Sequence, residues 1–240
     1  MESSAFRIEY AEESDIPEMV SLIVPAFQFV PVEAILNGKP TPENLLAAEQ
    51  RHKYAWRKHM EAFSLPCAIK CLHRDPVDGS ETIVGAALWH VYNRERTEVE
   101  YMAGDYLLSG DWLTNPEAKK KVKDFMQPIV QMQAKWMGAR PHAALHYMCV
   151  QPAWRRQGIS SICVRWGLQR CRELGIPAYL EASEEGAPVY RKLGFETVDS
   201  VTSLWDGQES SFPIMIRWPE GTRAEDRRPA ASRLNADCTV

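Results

Sequence analysis

The chain has 240 residues, 45% of them hydrophobic, with a formal net charge of −4 and a pI near 5.9. That length and apolar fraction suffice for one sizeable core, and the acidic balance argues against a nucleic-acid-binding face while leaving room for a local basic patch. No apolar run reaches the roughly 20 residues that span a bilayer, and the opening MESSAFRIEYAEE lacks the basic-then-apolar pattern of a secretory signal. Six cysteines (Cys67, Cys71, Cys149, Cys163, Cys171 and Cys238) are scattered without a CxxC pair. Such spacing points to buried or free thiols in a reducing compartment, not to a disulfide frame. The expectation is a soluble cytoplasmic protein with no membrane or nucleic-acid partner, either a monomer or a homodimer.

Phe6, Ile8 and Tyr10 alternate with polar residues as a half-buried strand does. Ser14-Asp15-Ile16-Pro17-Glu18 reads as a helix start, with Met19, Leu22, Ile23 and Ala26 as the core stripe. Pro25 interrupts that pattern, so the helix is expected to kink or end near Val24. Phe27 to Val32 is apolar and aromatic, suited either to a substrate wall or to a loop buried under a helix. Thr41-Pro42-Glu43-Asn44 caps a long helix to about Phe63, with Leu45, Leu46, Ala48, Tyr54 and Met60 as expected core contacts. His52 and His59 lie seven residues apart on it. Without a carboxylate or Cys at i+3 or i+4 they read as solvated, and no metal site is expected.

Cys67 to His73 and Ile83 to Tyr92 read as strands joined by the hairpin chemistry of Asp75-Pro76-Val77-Asp78-Gly79. Gly85-Ala86-Ala87 is small on both faces, as a central strand under a helix requires. Glu95 to Thr114 is a long, acidic and aromatic connection (Glu98, Glu100, Tyr101, Asp105, Tyr106, Asp111, Trp112). It would offer charge and ring faces to a cationic amine, or serve as a surface insertion. Asn115-Pro116-Glu117 caps a helix to about Gly138, with Lys119 to Lys123 on a solvated face and Phe125, Ile129, Met132 and Trp136 inward; Pro128 implies a kink. Thr197 to Leu204 and Phe212 to Trp218 read as closing strands around Asp206-Gly207. Residues 1–218 form one expected domain, and 219–240, charged and without aliphatic periodicity, a mobile C-terminal tail.

The stretch His142 to Phe195 organises the rest. Leu145 to Val150 is β-prone and Pro152 ends it. Arg155-Arg156-Gln157-Gly158-Ile159-Ser160 then turns the chain into a helix from about Ser160 to Leu174, stopped by Gly175 and Pro177. Ala178 to Ala182 is a second strand. A strand feeding a small-residue turn at a helix N-terminus makes an anion site, because the first helical N–H groups lack chain partners and the dipole is positive there. Gly158 permits unusual backbone angles, Ser160 allows close approach, and Arg155 and Arg156 suit phosphate oxygens. A solvated basic turn capped by serine would look the same in isolation.

The flanks add to this. Arg155, Gly158 and Ser160 resemble the Gln/Arg-x-x-Gly-x-Gly/Ala pyrophosphate loop of the GNAT superfamily of acyl-CoA-dependent N-acyltransferases, with Ser in place of the last Gly/Ala. Val150-Gln151-Pro152 resembles the Val-x-Pro that closes that family's central strand. Val189-Tyr190-Arg191-Lys192-Leu193-Gly194-Phe195 is similar to its Leu-Tyr-x-x-x-Gly-Phe signature. Tyr179 to Ser183 resembles most the fungal small-molecule members and is similar to puromycin acetyltransferase. The resemblance implies an α/β GNAT fold: a mixed, mostly antiparallel sheet of about seven strands, splayed in a V between strands 4 and 5 and flanked by helices. It implies acetyl-CoA as donor, bound by Arg155, Arg156, Gln157, Gly158, Ile159, Ser160 and Ser161, with the main chain of Met148, Cys149 and Val150 along the pantetheine arm. It also implies Tyr190 as general acid, since a phenol of pKa near 10 stays protonated at neutral pH.

For the base, His146 shares a strand face with Met148 and Val150 by period-two alternation, and an imidazole suits the task. Glu181 on the neighbouring strand is the rival, and a core histidine is the structural alternative. Ser183 and Gly186 stand where many members of the family have Asn and Ala. Cys149 is expected to be a buried strand residue, not a nucleophile. The leading expectation is acetyl transfer to a small-molecule amine, in detoxification or secondary metabolism. The alternatives are a protein lysine or N-terminal acetyltransferase, and a non-catalytic acyl-CoA-binding protein.

Overall fold

The computed structural model describes residues 5–27, 39–65, 67–103, 113–205 and 207–230. The strands are β1 (Phe6–Tyr10), β2 (Ala68–Arg74), β3 (Glu81–Tyr92), β4 (His142–Val150), β5 (Ala178–Glu181), β6 (Glu196–Trp205) and β7 (Gln208–Arg217). The helices are α1 (Ile16–Phe27), α2 (Pro42–Phe63), α3 (Glu98–Met102), α4 (Pro116–Trp136), α5 (Ile159–Leu174) and α6 (Ala187–Lys192). The fold is α/β, with one seven-stranded sheet in the order β1-β2-β3-β4-β5-β7-β6. The β1–β2, β2–β3, β5–β7 and β6–β7 pairs are antiparallel and β4–β5 is parallel, through Ala143–Ala178 and Ala144–Tyr179. The chain is organised as two compact units, Met1–His90 with Leu145–Arg170, and Val91–Ala144 with Cys171–Val240.

In the first unit, α1 buries Ile16, Met19, Val20, Ile23 and Val24, the i, i+3, i+4, i+7 face of a helix. Met19 and Ile23 meet Ala68, Leu72, Ile83, Ala86 and Cys149, while Ile16, Val20 and Val24 meet Ala48 of α2. The helix runs on through Pro25 to Phe27 instead of ending near Val24. In the last turn the proline removes one backbone donor, and two further residues complete the helix beyond it. On α2, the Thr41 side chain accepts from the Asn44 N–H at 3.3 Å and Pro42 opens the first turn. Its buried line is Ala48, Ala55 and His59. The expected core residues Leu46 and Tyr54 are instead 54% and 43% exposed, because α1 meets the helix along its alanine stripe. His59, expected in solvent, lies on that same buried line.

Close packing on glycine fixes how α5 lies on this part of the sheet. A Cβ on Gly85 of β3 would sit 2.7 Å from Ile159 Cγ2 and 3.3 Å from the Cys149 carbonyl oxygen. A Cβ on Gly167 of α5 would overlap the fully buried indole of Trp89. These two contacts, at either end of the small-residue run Gly85-Ala86-Ala87, seat the first turns of α5.

The second unit packs α4 on β6 and β7. Asn115 Oδ1 caps α4 by accepting from the Glu117 and Ala118 N–H groups. Phe125 meets Trp205 and Phe212 edge-on at 5.9 and 6.4 Å. At the far end, Trp136 Nε1 and Lys135 Nζ both donate to Asp199 Oδ2, at 3.0 and 2.7 Å. The stretch from Glu95 was expected as a loop; its start folds into α3, capped by Thr97 and Glu100, and residues 104–112 lie outside the described residues. Within 219–230, assigned to a tail on sequence, Arg227 pairs with Glu196 at 3.1 Å and the Ala230 N–H donates to the Lys135 carbonyl at 2.8 Å. Residues 231–240 and most of the Phe27–Asn37 segment are not among those described.

Candidate active site

The first unit carries the turn from β4 into α5. Gln151 holds the strand end through its N–H to the Val84 carbonyl (2.9 Å) and its Nε2 to the Ile83 carbonyl (3.0 Å). A single 3₁₀ turn, Pro152–Trp154, follows, and Arg155 Nε reaches back to the Val150 carbonyl at 3.4 Å. Arg156 and Gly158 then take left-handed angles, φ +65° and +82°. Around Gly158 a Cβ would meet nothing within 4 Å, so the backbone angle and not space calls for glycine there. The first α5 bond runs from the Ile162 N–H to the Gly158 carbonyl at 3.1 Å. The N–H groups of the residues before Ile162 therefore stand at the positive end of a 16-residue helix, beside exposed Arg155, Arg156 and Gln157. Ile159 is 1% exposed and wedged on Gly85, whereas Ser160 and Ser161 are half-buried. Phosphate oxygens are the chemistry such a turn accepts.

Along β4, Met148 is half-buried and Cys149 and Val150 are buried. The Cys149 thiol donates to the Ala86 carbonyl at 3.7 Å, and burial pushes its pKa up to about 12. It is a core thiol and no nucleophile. His146 is half-buried, its ring 4.4 Å from that of His90 on β3, which stacks on His59 of α2 at 4.5 Å and 22°. Tyr147, the next residue, meets Phe27 at 5.4 Å and His52 at 5.7 Å. His90 and His59 escaped the sequence reading because three rings from three separated elements leave no spacing to find. Among the described residues no group of His, Cys, Asp and Glu could hold a metal ion.

The second unit carries the other two candidates. Glu181 ends β5 opposite Ile214, half-buried, and burial raises its carboxyl to about 7. Tyr179, two residues earlier on the same strand face, is fully buried, and burial together with Glu181 holds its phenol well above the ordinary value. Tyr190 sits on α6, edge-on to Phe195 at 5.8 Å, and burial pushes its hydroxyl up to about 12. A Cβ on Gly186 would lie 2.9 Å from Tyr190 Cε2 and 3.1 Å from Ser183 Oγ. Glycine at this position makes room for the tyrosine ring. Also unforeseen is a buried cluster in which His142 Nδ1 donates to the Arg140 carbonyl at 2.7 Å. Its Nε2 then accepts from Gln133 at 3.1 Å, with Arg96 at 3.5 Å stacked on Tyr92.

The loop, Met148 to Val150 and His146 thus belong to one unit, and Glu181 and Tyr190 to the other. A phenol held protonated can donate to a departing thiolate. A half-buried imidazole or a carboxyl near 7 can take a proton from an ammonium at neutral pH.

Comparison with known proteins agrees with this inventory. Residues 125–195 match the family model of the acetyltransferase (GNAT) family. A probable acyltransferase of Ajellomyces capsulatus is 28% identical over 120 residues, 47% of this chain and 79% of that protein. The polyamine N-acetyltransferase of Drosophila melanogaster, an enzyme that forms N-acetylagmatine, superposes with a TM-score of 0.60 at 11% identity, covering 88% of this chain and 98% of its own. Arylalkylamine N-acetyltransferase 2 of Aedes aegypti does so with a TM-score of 0.59 at 15% identity, covering 90% and 99%. At such identities the two structures speak for the fold alone. Taken with the family match and the acyltransferase relative, the chain carries a GNAT acetyltransferase domain and is an acyltransferase.

Proposed function

We propose that this chain transfers the acetyl group of acetyl-CoA directly to a primary amine of a small molecule, in detoxification or secondary metabolism within the cytoplasm. The observation that carries the reading is the left-handed Arg156 and Gly158 turn into the α5 N-terminus. It lies between Val150-Gln151-Pro152 and Val189 to Phe195, in the order acetyl-CoA-dependent members of the family use. Arg155 to Ser161 would hold the pyrophosphate, and the main chain of Met148, Cys149 and Val150 the pantetheine arm. His146 takes a proton from the acceptor ammonium, the freed amine attacks the thioester carbonyl, and the C–S bond breaks. Tyr190 then gives its proton to the departing thiolate. The raised carboxyl of Glu181 favours a second reading in which that residue is the base. The agmatine- and arylalkylamine-acetylating neighbours make polyamines and arylalkylamines the first acceptors to try.

The test is thiol release from acetyl-CoA over polyamines, arylalkylamines, aminoglycosides, amino acids and histone peptides. Turnover confined to one small-amine class, lost in His146→Ala and kept in Glu181→Gln, is the expected result. Turnover on peptides alone would replace the small-molecule reading with protein acetylation, and the reverse order of the two variants would move the base to Glu181.

A further inference from the structure

We propose that His90 is a positioning residue for His146, and that the imidazoles of His59, His90 and His146 form a column that carries one proton at a time. The inference rests on His146 as the base only for its consequence in turnover. The rings come from α2, β3 and β4 and stand at 4.5 Å (His59–His90, 22°) and 4.4 Å (His90–His146, 56°), with Phe63 closing the outer end 4.9 Å from His59. His59 and His90 are 6% and 3% exposed. Rings laid face against face do not converge on a point, so the arrangement is no metal site. It is a stack in which a charge on one ring is felt by the next at less than 5 Å. Two imidazolium ions at that distance, out of water, oppose each other strongly, and a like charge lowers the proton affinity of its neighbour.

No carboxylate is placed to offset that repulsion. Between Ile83 and Tyr92 on β3, and between His142 and Val150 on β4, there is no Asp, Glu, Lys or Arg. On α2 the charged neighbours of His59 are engaged at the surface: Lys58 with Glu61 at 2.8 Å, and Arg57 with Glu13. Lys53 pairs with Glu49 at 2.5 Å, and His52 lies on Tyr147. From α1, Glu18 accepts from the Ile83 N–H at 3.2 Å, at the other end of β3. The groups that set the charge on His146 are therefore the other two rings. The column keeps His146 neutral, able to accept a proton, at pH values where an isolated imidazole, with a pKa of about 6.5, would already be partly charged.

The experiment is an NMR titration of the His146 ring in the full chain, ¹⁵N-labelled at histidine, in wild type and His90→Phe. Phenylalanine keeps a flat ring in the stack and removes the competing proton site. The His146 midpoint should rise by about one pH unit, a tenfold gain in proton affinity, and the acidic limb of kcat/KM should move up with it while the alkaline plateau stays. His59→Phe, two rings away, should give a smaller shift in the same direction and serves if His90→Phe does not fold. An unmoved His146 midpoint, with or without a loss of activity, overturns the column and leaves His90 a packing residue. The titration needs no turnover. If His146→Ala retains full activity while the midpoint still shifts, the base assignment falls and the coupled column stands.

Discussion

Gly85→Ala tests how the sheet sets the phosphate-binding turn. The added methyl would lie 2.7 Å from Ile159 Cγ2, where carbon atoms ordinarily rest at about 3.5–4.0 Å. One side must therefore give by about 1 Å. The sheet side is closed, with the Cys149 carbonyl at 3.3 Å and Cys71 Cβ at 3.5 Å, and Ile159 is itself 1% exposed. Overpacking of this kind costs about 1–3 kcal/mol, or roughly 2–12 °C in Tm for a chain of this size. The residue displaced is the first of α5, next to left-handed Gly158, so CoA affinity measured by calorimetry should fall together with stability. Ile159→Ala alone should cost about 2–5 kcal/mol through the cavity it opens. The double variant removes the clashing Cγ2 and should be more stable than the sum of the singles by at least about 1 kcal/mol. Denaturant unfolding of the four proteins measures this. Additive losses would refute the claim that Gly85 and Ile159 touch and that this contact seats the turn.

Other consequences can be checked alongside. Gly167→Ala would drive a methyl into the buried Trp89 indole and should destabilise by about 3 kcal/mol or more, seen as loss of a cooperative unfolding transition or a sharply lower midpoint. Glu181, raised to about 7, binds its proton more tightly folded than unfolded. The stability it contributes is full below its unfolded pKa of about 4.3 and is lost as pH rises to about 7, on the order of 2 kcal/mol. Glu181→Gln should flatten that fall, and equal pH slopes for the two proteins would remove the burial account of this carboxyl. Asp199→Ala strips a shared acceptor from Lys135 and Trp136 and should cost about 1 kcal/mol, read from urea midpoints. An unchanged midpoint would show that α4 does not depend on that junction.

The parts of this molecule readable from sequence are those governed by local rules. Thr41-Pro42 and Asn115-Pro116 announced their helices because a capping oxygen and an N1 proline act within one turn. The Asp75–Gly79 hairpin did so because turn chemistry is equally local, and Gly158 because a left-handed angle names its own residue. The small run Gly85-Ala86-Ala87 foretold a close approach without saying that Ile159 would fill it. Reading failed where distant segments decide. Helical periodicity offered Leu46 and Tyr54 to the core, but α1 met α2 along Ala48 and left both in solvent. His59 looked like half of a weak surface pair until β3 brought His90 against it. The Arg96, Gln133 and His142 cluster likewise joins segments whose sequences carry no mark of the hydrogen bonds between them.

The central claim, acetyl transfer with Tyr190 as the acid, is met most directly by single-turnover thiol release from acetyl-CoA with a small primary amine, for wild type and Tyr190→Phe. The predicted result is release that requires both substrates and falls by about 10²–10⁴-fold in the variant, with acetyl-CoA affinity unchanged by calorimetry. Equal rates in the two proteins would contradict the role of Tyr190, and no release with any amine despite intact acetyl-CoA binding would contradict the transfer itself.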